Sequence, residues 1–269
     1  MNIRANGLSA FVSAAALFLI CSPLSSAVIA HWAFDEGSGA TVADSSGNSL
    51  NGSLVGGYSW VADPFGNAGQ AIGFDGSSGW MDVSDSLKGS SMTFAAWIKM
   101  DAIPGSVTSP APIITAETGS GQASGFCYRF AVASGGGLQL EVIRPYTASG
   151  SATAKTAGGL IVTDSWYYVT GVFGDGDVSI YINGEYVAGT TYTASISTLA
   201  SIPVAVGHLQ NWSVQWFGGS MDDIRIYDEA LDAAAVSALY QSVPEPATAA
   251  VMAGMTALLA AFVIRRRRA

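Results

Sequence analysis

Two tight-turn signals inside one β-rich stretch constrain the fold of this chain more than any other feature. Residues 166–173, 178–182 and 185–188 are rich in aromatic and β-branched side chains. Asp-Gly-Asp at 175–177 and Asn-Gly at 183–184 separate these segments, and an Asn-Gly pair suits the two positive φ angles of a type I′ hairpin turn. The stretch therefore predicts three antiparallel strands in succession.

The same pattern extends over most of the chain. From residue 28 to about residue 219, short β-rich runs alternate with Gly, Ser, Asn and Asp, and no helical period is sustained. Near the end, Asp232 is placed to cap one short helix that runs through Tyr240. Because sandwiches often run to about 200 residues as one unit, residues 28–240 are predicted to form one all-β domain.

The first residues are typical of an export signal. Arg4 precedes an apolar run over residues 8–20, and Ser-Ser-Ala at 25–27 supplies the small residues that signal peptidase accepts. Residues 1–27 are therefore predicted to be a signal peptide with a helical apolar core. Cleavage after Ala30 is also possible, but it would remove apolar residues of the predicted first strand. The alternative to a signal peptide is an N-terminal helix that belongs to the core of a protein that is not exported.

The last residues combine an uncharged segment with a cluster of arginines. Residues 247–264 contain no charged side chain, and four arginines follow them. The length of this uncharged segment is at the short limit for a membrane span. Such arginines favour the cytoplasmic side, which argues against a buried core helix. We predict a linker over residues 241–246, a transmembrane helix over 247–264 and a basic tail over 265–269, with the domain outside the cytoplasmic membrane.

The linker contains the triplet Pro244, Glu245 and Pro246. The order of this triplet, the apolar helix and the arginine cluster at the chain end resembles the PEP-CTERM sorting signal of Gram-negative and related bacteria. The resemblance covers the last 27 residues. It implies recognition by a membrane-embedded exosortase, cleavage near the triplet, and transfer to the cell surface or the exopolysaccharide.

The charge of the processed chain restricts its partners. Residues 28–242 contain six Lys and Arg against nineteen Asp and Glu. Phosphate binding needs clustered basic side chains, so nucleic acid and anionic lipid surfaces are excluded as expected partners. Neutral or cation-bridged ligands fit better. Cys127 is the one cysteine in this range, so no disulfide within the domain is predicted.

Five stretches stand out along residues 28–240. They are HWAFDEGSGATVADSSGNSLNGSL, IGFDGSSGWMDV, MTFAAWIKMD, WYYVTGVFGDGDVSIYINGEYVAG and FGGSMDDIRIYDEALDAAAVSALY. Their order and spacing resemble those of LamG-like jelly-roll domains in the concanavalin A-like lectin/glucanase superfamily. The resemblance implies a two-sheet antiparallel jelly-roll sandwich, which agrees with the pattern of strands. This architecture hosts lectins, adhesins, glycosidases and passive spacers, so function must be argued from the site.

The motifs do not support a catalytic function. A glycosidase needs two carboxylates about 5 to 9 Å apart, and the Glu-x-Asp-x-x-Glu arrangement is missing. Glu141 stands alone in its strand, and the adjacent Asp222 and Asp223 are predicted to point to opposite faces. His31 and His208 are the two histidines, and no Gly-x-Ser-x-Gly motif accompanies them. Neither a Ser-His-Asp triad nor a zinc site is therefore predicted, and the protein is not expected to be an enzyme.

Calcium is the metal that this sequence suits, because calcium prefers carboxylate, amide and backbone oxygens. The Asp-Ser-Ser-Gly-Asn stretch at 44–48 and the Met-Asp-Asp stretch at 221–223 supply such oxygens. LamG-like domains often carry a calcium ion at the sandwich edge. The resemblance implies Asp44, Asn48 and Asp222 as its ligands.

Glu36 and Asp223 are the further candidate ligands. The alternative is structural: Asp44 and Asn48 form an Asx turn, while Asp223 pairs with Arg225, two residues on and on the same face of the strand. A bound calcium ion is expected to clamp a loop rather than to take part in chemistry.

Aromatic side chains in loops are the candidates for sugar binding. Trp212, Trp216 and Tyr146 lie in predicted loops with polar neighbours. The alternative for a loop tryptophan is a lid over the core. The tryptophans in strand patterns are predicted to be core residues: Trp32, Trp97 and Trp166.

These observations predict an exported surface protein whose LamG-like domain serves adhesion, matrix association or glycan binding. Its expected partners are an exosortase-type sorting enzyme and a polysaccharide or surface glycoprotein. A structural component of the exopolysaccharide matrix without a discrete ligand is the first alternative, and a glycan-active enzyme is the second.

Overall fold

A computed structural model describes the domain and not the two ends of the chain. The described residues are 27–83, 87–106, 108–117, 126–142, 152–193, 204–209 and 215–243. Residues 1–26 of the predicted signal peptide, the Pro-Glu-Pro triplet, the predicted transmembrane helix and the basic tail lie outside them. Within the described part, no helix is both long and apolar enough to span a membrane.

Sixteen strands and one helix make up the described part. In chain order they are β1 (Val28–Trp32), β2 (Thr41–Val42), β3 (Gly52–Val55), β4 (Tyr58–Val61), β5 (Ala71–Asp75), β6 (Trp80–Val83), β7 (Met92–Met100), β8 (Ala111–Glu117), β9 (Phe126–Val132), β10 (Leu138–Val142), β11 (Ala152–Lys155), β12 (Trp166–Gly174), β13 (Asp177–Ile182), β14 (Glu185–Thr191), β15 (Val204–Val206), β16 (Gly218–Tyr227) and α1 (Ala233–Ser242).

The strands form two antiparallel sheets of eight strands each. Sheet 1 has the order β14-β13-β12-β7-β16-β5-β4, and β1 also pairs with β16. Sheet 2 has the order β11-β10-β9-β8-β15-β6-β3-β2. Neighbours in space are often far apart in sequence, as in a jelly-roll sandwich. The predicted all-β, two-sheet antiparallel architecture is confirmed.

The predicted run of three antiparallel strands is also confirmed. Strands β12, β13 and β14 pair in succession at one edge of sheet 1. At the second turn, Asn183 has a φ of 50° and Gly184 a φ of 78°, as a type I′ turn requires. The turn chemistry therefore sets the register of this edge.

Large apolar side chains from both sheets fill the space between them. Trp32, Phe94, Tyr128 and Phe173 are almost completely buried there, and the ring centroids of Phe94 and Tyr128 are 4.5 Å apart. Cys127 is also buried and takes part in no disulfide. Burial of this kind supplies most of the stability of a sandwich without a disulfide.

A second apolar cluster lies on the outer face of sheet 1, beneath α1. Asp232 caps this helix, and its carboxylate accepts a hydrogen bond from Ala235 N at 2.8 Å. Trp97 and Tyr168 pack under the ring of Tyr240, at centroid distances of 6.2 and 5.9 Å. The only helix of the described part therefore covers sheet 1, and no described helix covers the outer face of sheet 2.

Candidate functional site

The Asp44 carboxylate organises its own loop. Its Oδ1 accepts hydrogen bonds from the backbone N–H groups of His31 and Ser46, both at 2.9 Å. Its Oδ2 accepts from the Ser46 hydroxyl at 2.8 Å and from Leu50 N at 2.9 Å. Although partial burial opposes them, these bonds hold the pKa of Asp44 below its usual value. This geometry matches the alternative to a metal site, an Asx turn in which protein donors already satisfy the carboxylate.

Asn48 is also engaged within the loop. Its side-chain amide nitrogen donates to the carbonyl oxygens of Ile29 at 3.1 Å and Val28 at 3.4 Å. Those bonds fasten the loop to β1. Both Asp44 oxygens are thus engaged by protein donors, whereas the contacts of Asn48 use its amide nitrogen and not the amide oxygen that would bind calcium.

Asp222 and Asp223 do not follow the alternation expected of a regular strand. The pairing of β16 with β7 shifts register between Asp222 and Arg225, and Asp223 has a φ of 46°. Such a bulge re-aims side chains, and both carboxylates line one cleft with Asp35 and Asp63. The prediction that they point to opposite faces was wrong, because that rule assumes an unbroken strand.

We call these four aspartates, Asp35, Asp63, Asp222 and Asp223, the acidic cleft. Asp222 is only 5% exposed, and burial, reinforced by the neighbouring Asp223, raises its pKa to about 8. Within the described ranges, no three or more His, Cys, Asp or Glu side chains are grouped so that they could hold a metal ion.

Asp223 is held by two partners. His31 Nε2 lies 2.6 Å from its Oδ1, and Arg225 Nε donates to the same oxygen at 3.1 Å. The pairing with Arg225 is the predicted structural alternative, and it is confirmed. The Ser45 hydroxyl lies 2.8 Å from His31 Nδ1, which sequence spacing did not suggest. That hydroxyl also donates to the His31 carbonyl oxygen at 3.0 Å, so the chain of contacts fastens the loop to β1.

Trp216 lies at one end of the sandwich. Its ring stacks on His208 with centroids 3.5 Å apart and an interplanar angle of 5°. Burial lowers the pKa of His208, against the opposing effect of its contact with the Gln215 carbonyl, which favours the neutral form of the stacked imidazole. The indole nitrogen of Trp216 is buried and has no hydrogen-bond partner in the described part.

Trp216 also lines a cavity of about 610 Å³, the end cavity, with Asp101, Ile103 and Ser106 among its other walls. This volume is in the range of small-molecule sites. Asp75 borders the same cavity, but its carboxylate accepts hydrogen bonds from the turn that follows it. Asp101 is therefore the carboxylate in the cavity that remains for a ligand.

A group of charged side chains on sheet 2 was missed by the sequence analysis. Arg129 on β9 donates to Glu141 Oε2 on β10 at 2.7 Å, and its guanidinium lies 3.7 Å from Glu117 Oε2 on β8. Burial raises the pKa of Glu117 to about 7, with Arg129 opposing the rise and Glu141 adding to it. Glu141 is therefore not isolated, because neighbouring strands supply its partners.

Two of the predicted sugar-binding aromatics, Trp212 and Tyr146, lie outside the described residues, as do Pro244, Glu245 and Pro246. Of the other predicted tryptophans, Trp32 and Trp97 are buried as expected. Trp166 is half-buried, and the Lys99 ammonium lies 5.3 Å from its ring centre.

Residues 75–237 match the sequence profile of a laminin-G-type family described as the concanavalin A-like lectin/glucanases superfamily. The chain belongs to this superfamily. The concanavalin A-like assignment covers most of the sandwich, including the end cavity and the charged group on sheet 2. A comparison with curated protein sequences finds no match.

Solved structures similar in fold to this chain include domain 4 of AbnA, a GH43 extracellular arabinanase from Geobacillus stearothermophilus, in complex with arabinotriose. It is 19% identical with a TM-score of 0.59, over 80% of this chain and 98% of that one. The binding domain of botulinum neurotoxin DC in complex with SialylT is 14% identical, with a TM-score of 0.59.

The receptor-binding domain of botulinum neurotoxin type G is 15% identical, also with a TM-score of 0.59. Both neurotoxin matches cover 80% of this chain, which spans about half of those chains, 51% in each case. At these identities the likeness shows the fold alone.

Proposed function

We propose that this domain is a non-catalytic carbohydrate-binding module on the outside of the cell. The observation that carries the proposal is the end cavity, where Trp216 and the Asp101 carboxylate line one concave space at the end of the sandwich. An aromatic face and a few polar groups are the usual means of binding a sugar ring. The structural neighbours solved with arabinotriose and with SialylT support this choice of ligand class.

The charged group on sheet 2 supports a binding rather than a hydrolytic role. Glu117 and Glu141 are a carboxylate pair, but both contact the guanidinium of Arg129. An inverting glycosidase needs room for a water molecule between its carboxyl groups, and a retaining enzyme needs an unobstructed nucleophile. The Arg129 guanidinium, which contacts both carboxylates, opposes both the inverting and the retaining arrangement.

Export and sorting complete the proposal. The signal peptide, the transmembrane helix and the Pro-Glu-Pro triplet are predicted from sequence, and with them exosortase processing and delivery to the cell surface or matrix. Mass spectrometry of the mature protein tests this part. We expect an N-terminus at Val28 and a C-terminus near Glu245, whereas retention of the arginine tail would contradict it.

Calcium remains a proposed structural cofactor, with Asp222, whose Oδ1 accepts one hydrogen bond from Asp223 N, and Asn48 as its proposed ligands. Asp44 fits a shared site less well, because both of its carboxylate oxygens already accept hydrogen bonds within the loop, whereas only the amide nitrogen of Asn48 is engaged there. The ion is given no part in the binding of the carbohydrate.

A glycan array tests the central proposal. The folded domain, residues 28–242, is expected to bind a subset of glycans, and Trp216→Ala is expected to reduce that binding. Gln241→Ala on α1 is the control, because Gln241 lies away from the end cavity. Absence of binding by a domain with a cooperative thermal transition would contradict the proposal and leave the structural matrix role, for which retention in the exopolysaccharide fraction is the evidence.

A further inference from the structure

A second cavity lies on the outer face of sheet 2. This face cavity has a volume of about 580 Å³, and its walls include Glu117, Arg129, Gln139, Glu141, Lys155 and Gln215. These side chains come from β8, β9, β10, β11 and the segment before β16. All of its eight lining residues except Pro110 are polar or charged, in contrast to the residues of the apolar interior.

Gln139 is the unexplained group in this cavity. The residue is only 7% exposed, and its neighbours in the strand, Leu138 and Leu140, are fully buried in the core. None of the residues that the structure describes hydrogen-bonds its side-chain amide. A buried amide offers one acceptor and two donors, and such groups are normally satisfied. The amide of Gln139 therefore faces the cavity ready for a ligand.

Gln215 provides a direct comparison within the same cavity. Its amide oxygen accepts from Arg129 at 3.3 Å, and its amide nitrogen donates to the Thr108 carbonyl at 3.1 Å. Gln215 is equally buried, with 4% of its surface exposed. One glutamine is thus fastened to the protein and the other is not, which separates a structural amide from one that is free to bind.

The other walls of the cavity are preorganised. Arg129 is fixed by Glu141 and Gln215, and Glu117, whose Oε2 lies 3.7 Å from that guanidinium, keeps 13% of its side-chain surface exposed. Fixed polar groups with open hydrogen-bonding positions lower the cost of ordering on binding. The exposed part of the Glu117 carboxylate can accept a hydrogen bond, and the Gln139 amide can both donate and accept.

We propose that the face cavity is a second saccharide site, distinct from the end cavity, which binds a neutral sugar through hydroxyl groups on Gln139 and Glu117. A hydroxyl both donates and accepts, so it satisfies both side chains. A sugar carboxylate would meet Glu117 and Glu141 in a domain with nineteen acidic and six basic side chains. The site therefore favours neutral over uronic-acid residues.

Thermal unfolding of Gln139→Met and Gln215→Met tests the contrast between the two amides without knowledge of the ligand. Removing an unpartnered buried amide leaves no protein group unsatisfied. We therefore expect the Tm of Gln139→Met to be unchanged or higher, and that of Gln215→Met to be lower. A Tm loss in Gln139→Met as large as that in Gln215→Met would show that Gln139 is structural and would overturn the inference.

An array of neutral and uronate-containing oligosaccharides, arabinotriose included, tests the ligand class. We expect Gln139→Met to weaken binding of neutral glycans by about tenfold or more, with Gln241→Ala unchanged. Loss of binding in Trp216→Ala but not in Gln139→Met would overturn this site and leave the end cavity. The reverse pattern would overturn the end cavity alone. Binding confined to uronates, or no binding by the wild-type domain, would also contradict this site.

Discussion

His31 Nε2 and Asp223 Oδ1 lie 2.6 Å apart and link the first strand of the domain to its last. The contact forms where β1 pairs with β16, opposite Arg225, and where the bulge turns the Asp223 carboxylate toward both side chains. Asp223 therefore serves as a shared acceptor that fixes the bulge and the loop beside it. That role explains why a non-glycine residue occupies a positive φ at this position.

Replacing Asp223 by Asn is expected to destabilise the domain. Asparagine tolerates a positive φ, so the change removes charge while the backbone is preserved. Arg225, which is 22% exposed at its side chain, would lose its carboxylate partner. We expect the free energy of unfolding in urea to fall by about 1.5–3 kcal/mol, the range for hydrogen bonds to charged groups. Asp228→Asn, at an exposed position just after β16, is the control and should change stability little.

The stability of the domain is expected to fall as pH rises through the titration of Glu117. Its pKa is raised in the folded state to about 7, above the ordinary value of 4.5. Between these values the folded state binds more protons than the unfolded state, so the free energy of unfolding decreases with rising pH. The upper limit of the slope for one group is about 1.4 kcal/mol per pH unit.

Glu117→Gln is expected to flatten that pH dependence, measured as the difference in unfolding free energy between pH 5 and pH 7. Glu185→Gln, at an exposed position, should leave the wild-type slope unchanged. A slope that is identical in wild type and Glu117→Gln would contradict the assignment to Glu117.

Calcium and the Asp44 loop should be separable by mutation. Asp44→Asn removes the charged acceptor that organises the loop, so we expect it to lower the Tm by the same amount in excess calcium and in excess chelator. An ion that binds only the folded state raises the Tm by mass action, and we expect that shift to be lost in Asp222→Asn. A calcium shift that is lost in Asp44→Asn and kept in Asp222→Asn would reverse the assignment, and no shift in the wild type would remove calcium from the proposal.

The cap of α1 should contribute measurably to stability. Asp232→Ala removes the acceptor for Ala235 N, and loss of such an N-cap costs about 1 kcal/mol. Because α1 covers Trp97, we also expect the tryptophan fluorescence spectrum to indicate greater solvent exposure of this side chain. Unchanged denaturant midpoint and fluorescence would contradict a supporting role for the helix.

Local patterns predicted the fold well. The alternation in β12–β14, the Asn183-Gly184 turn and the Asp232 cap depend on residues close together in sequence, so propensity and turn chemistry were sufficient to place them. The Asx-type loop at Asp44 was likewise foreseen as the alternative to a metal site.

The site was less predictable, because it depends on contacts between distant residues. Arg129 meets Glu117 and Glu141 through the pairing of three strands, and only the strand order reveals that group. The bulge at Asp223 broke the two-residue alternation on which the prediction for that pair relied. Gln139 carried no signal in sequence, since a glutamine in an alternating strand predicts an exposed residue.

The most direct test of the account is the mapping of a bound glycan on the ¹⁵N-labelled domain by NMR, with the strongest ligand from the array. We expect saturable shifts of backbone amides at residues 101–103, 105–106 and 215–218 beside the end cavity, and at Gln139 if the second site is filled. The α1 amides, Ala233–Ser242, should not move. Absence of saturable shifts, or shifts confined to α1, would contradict carbohydrate binding at this end and face of the sandwich.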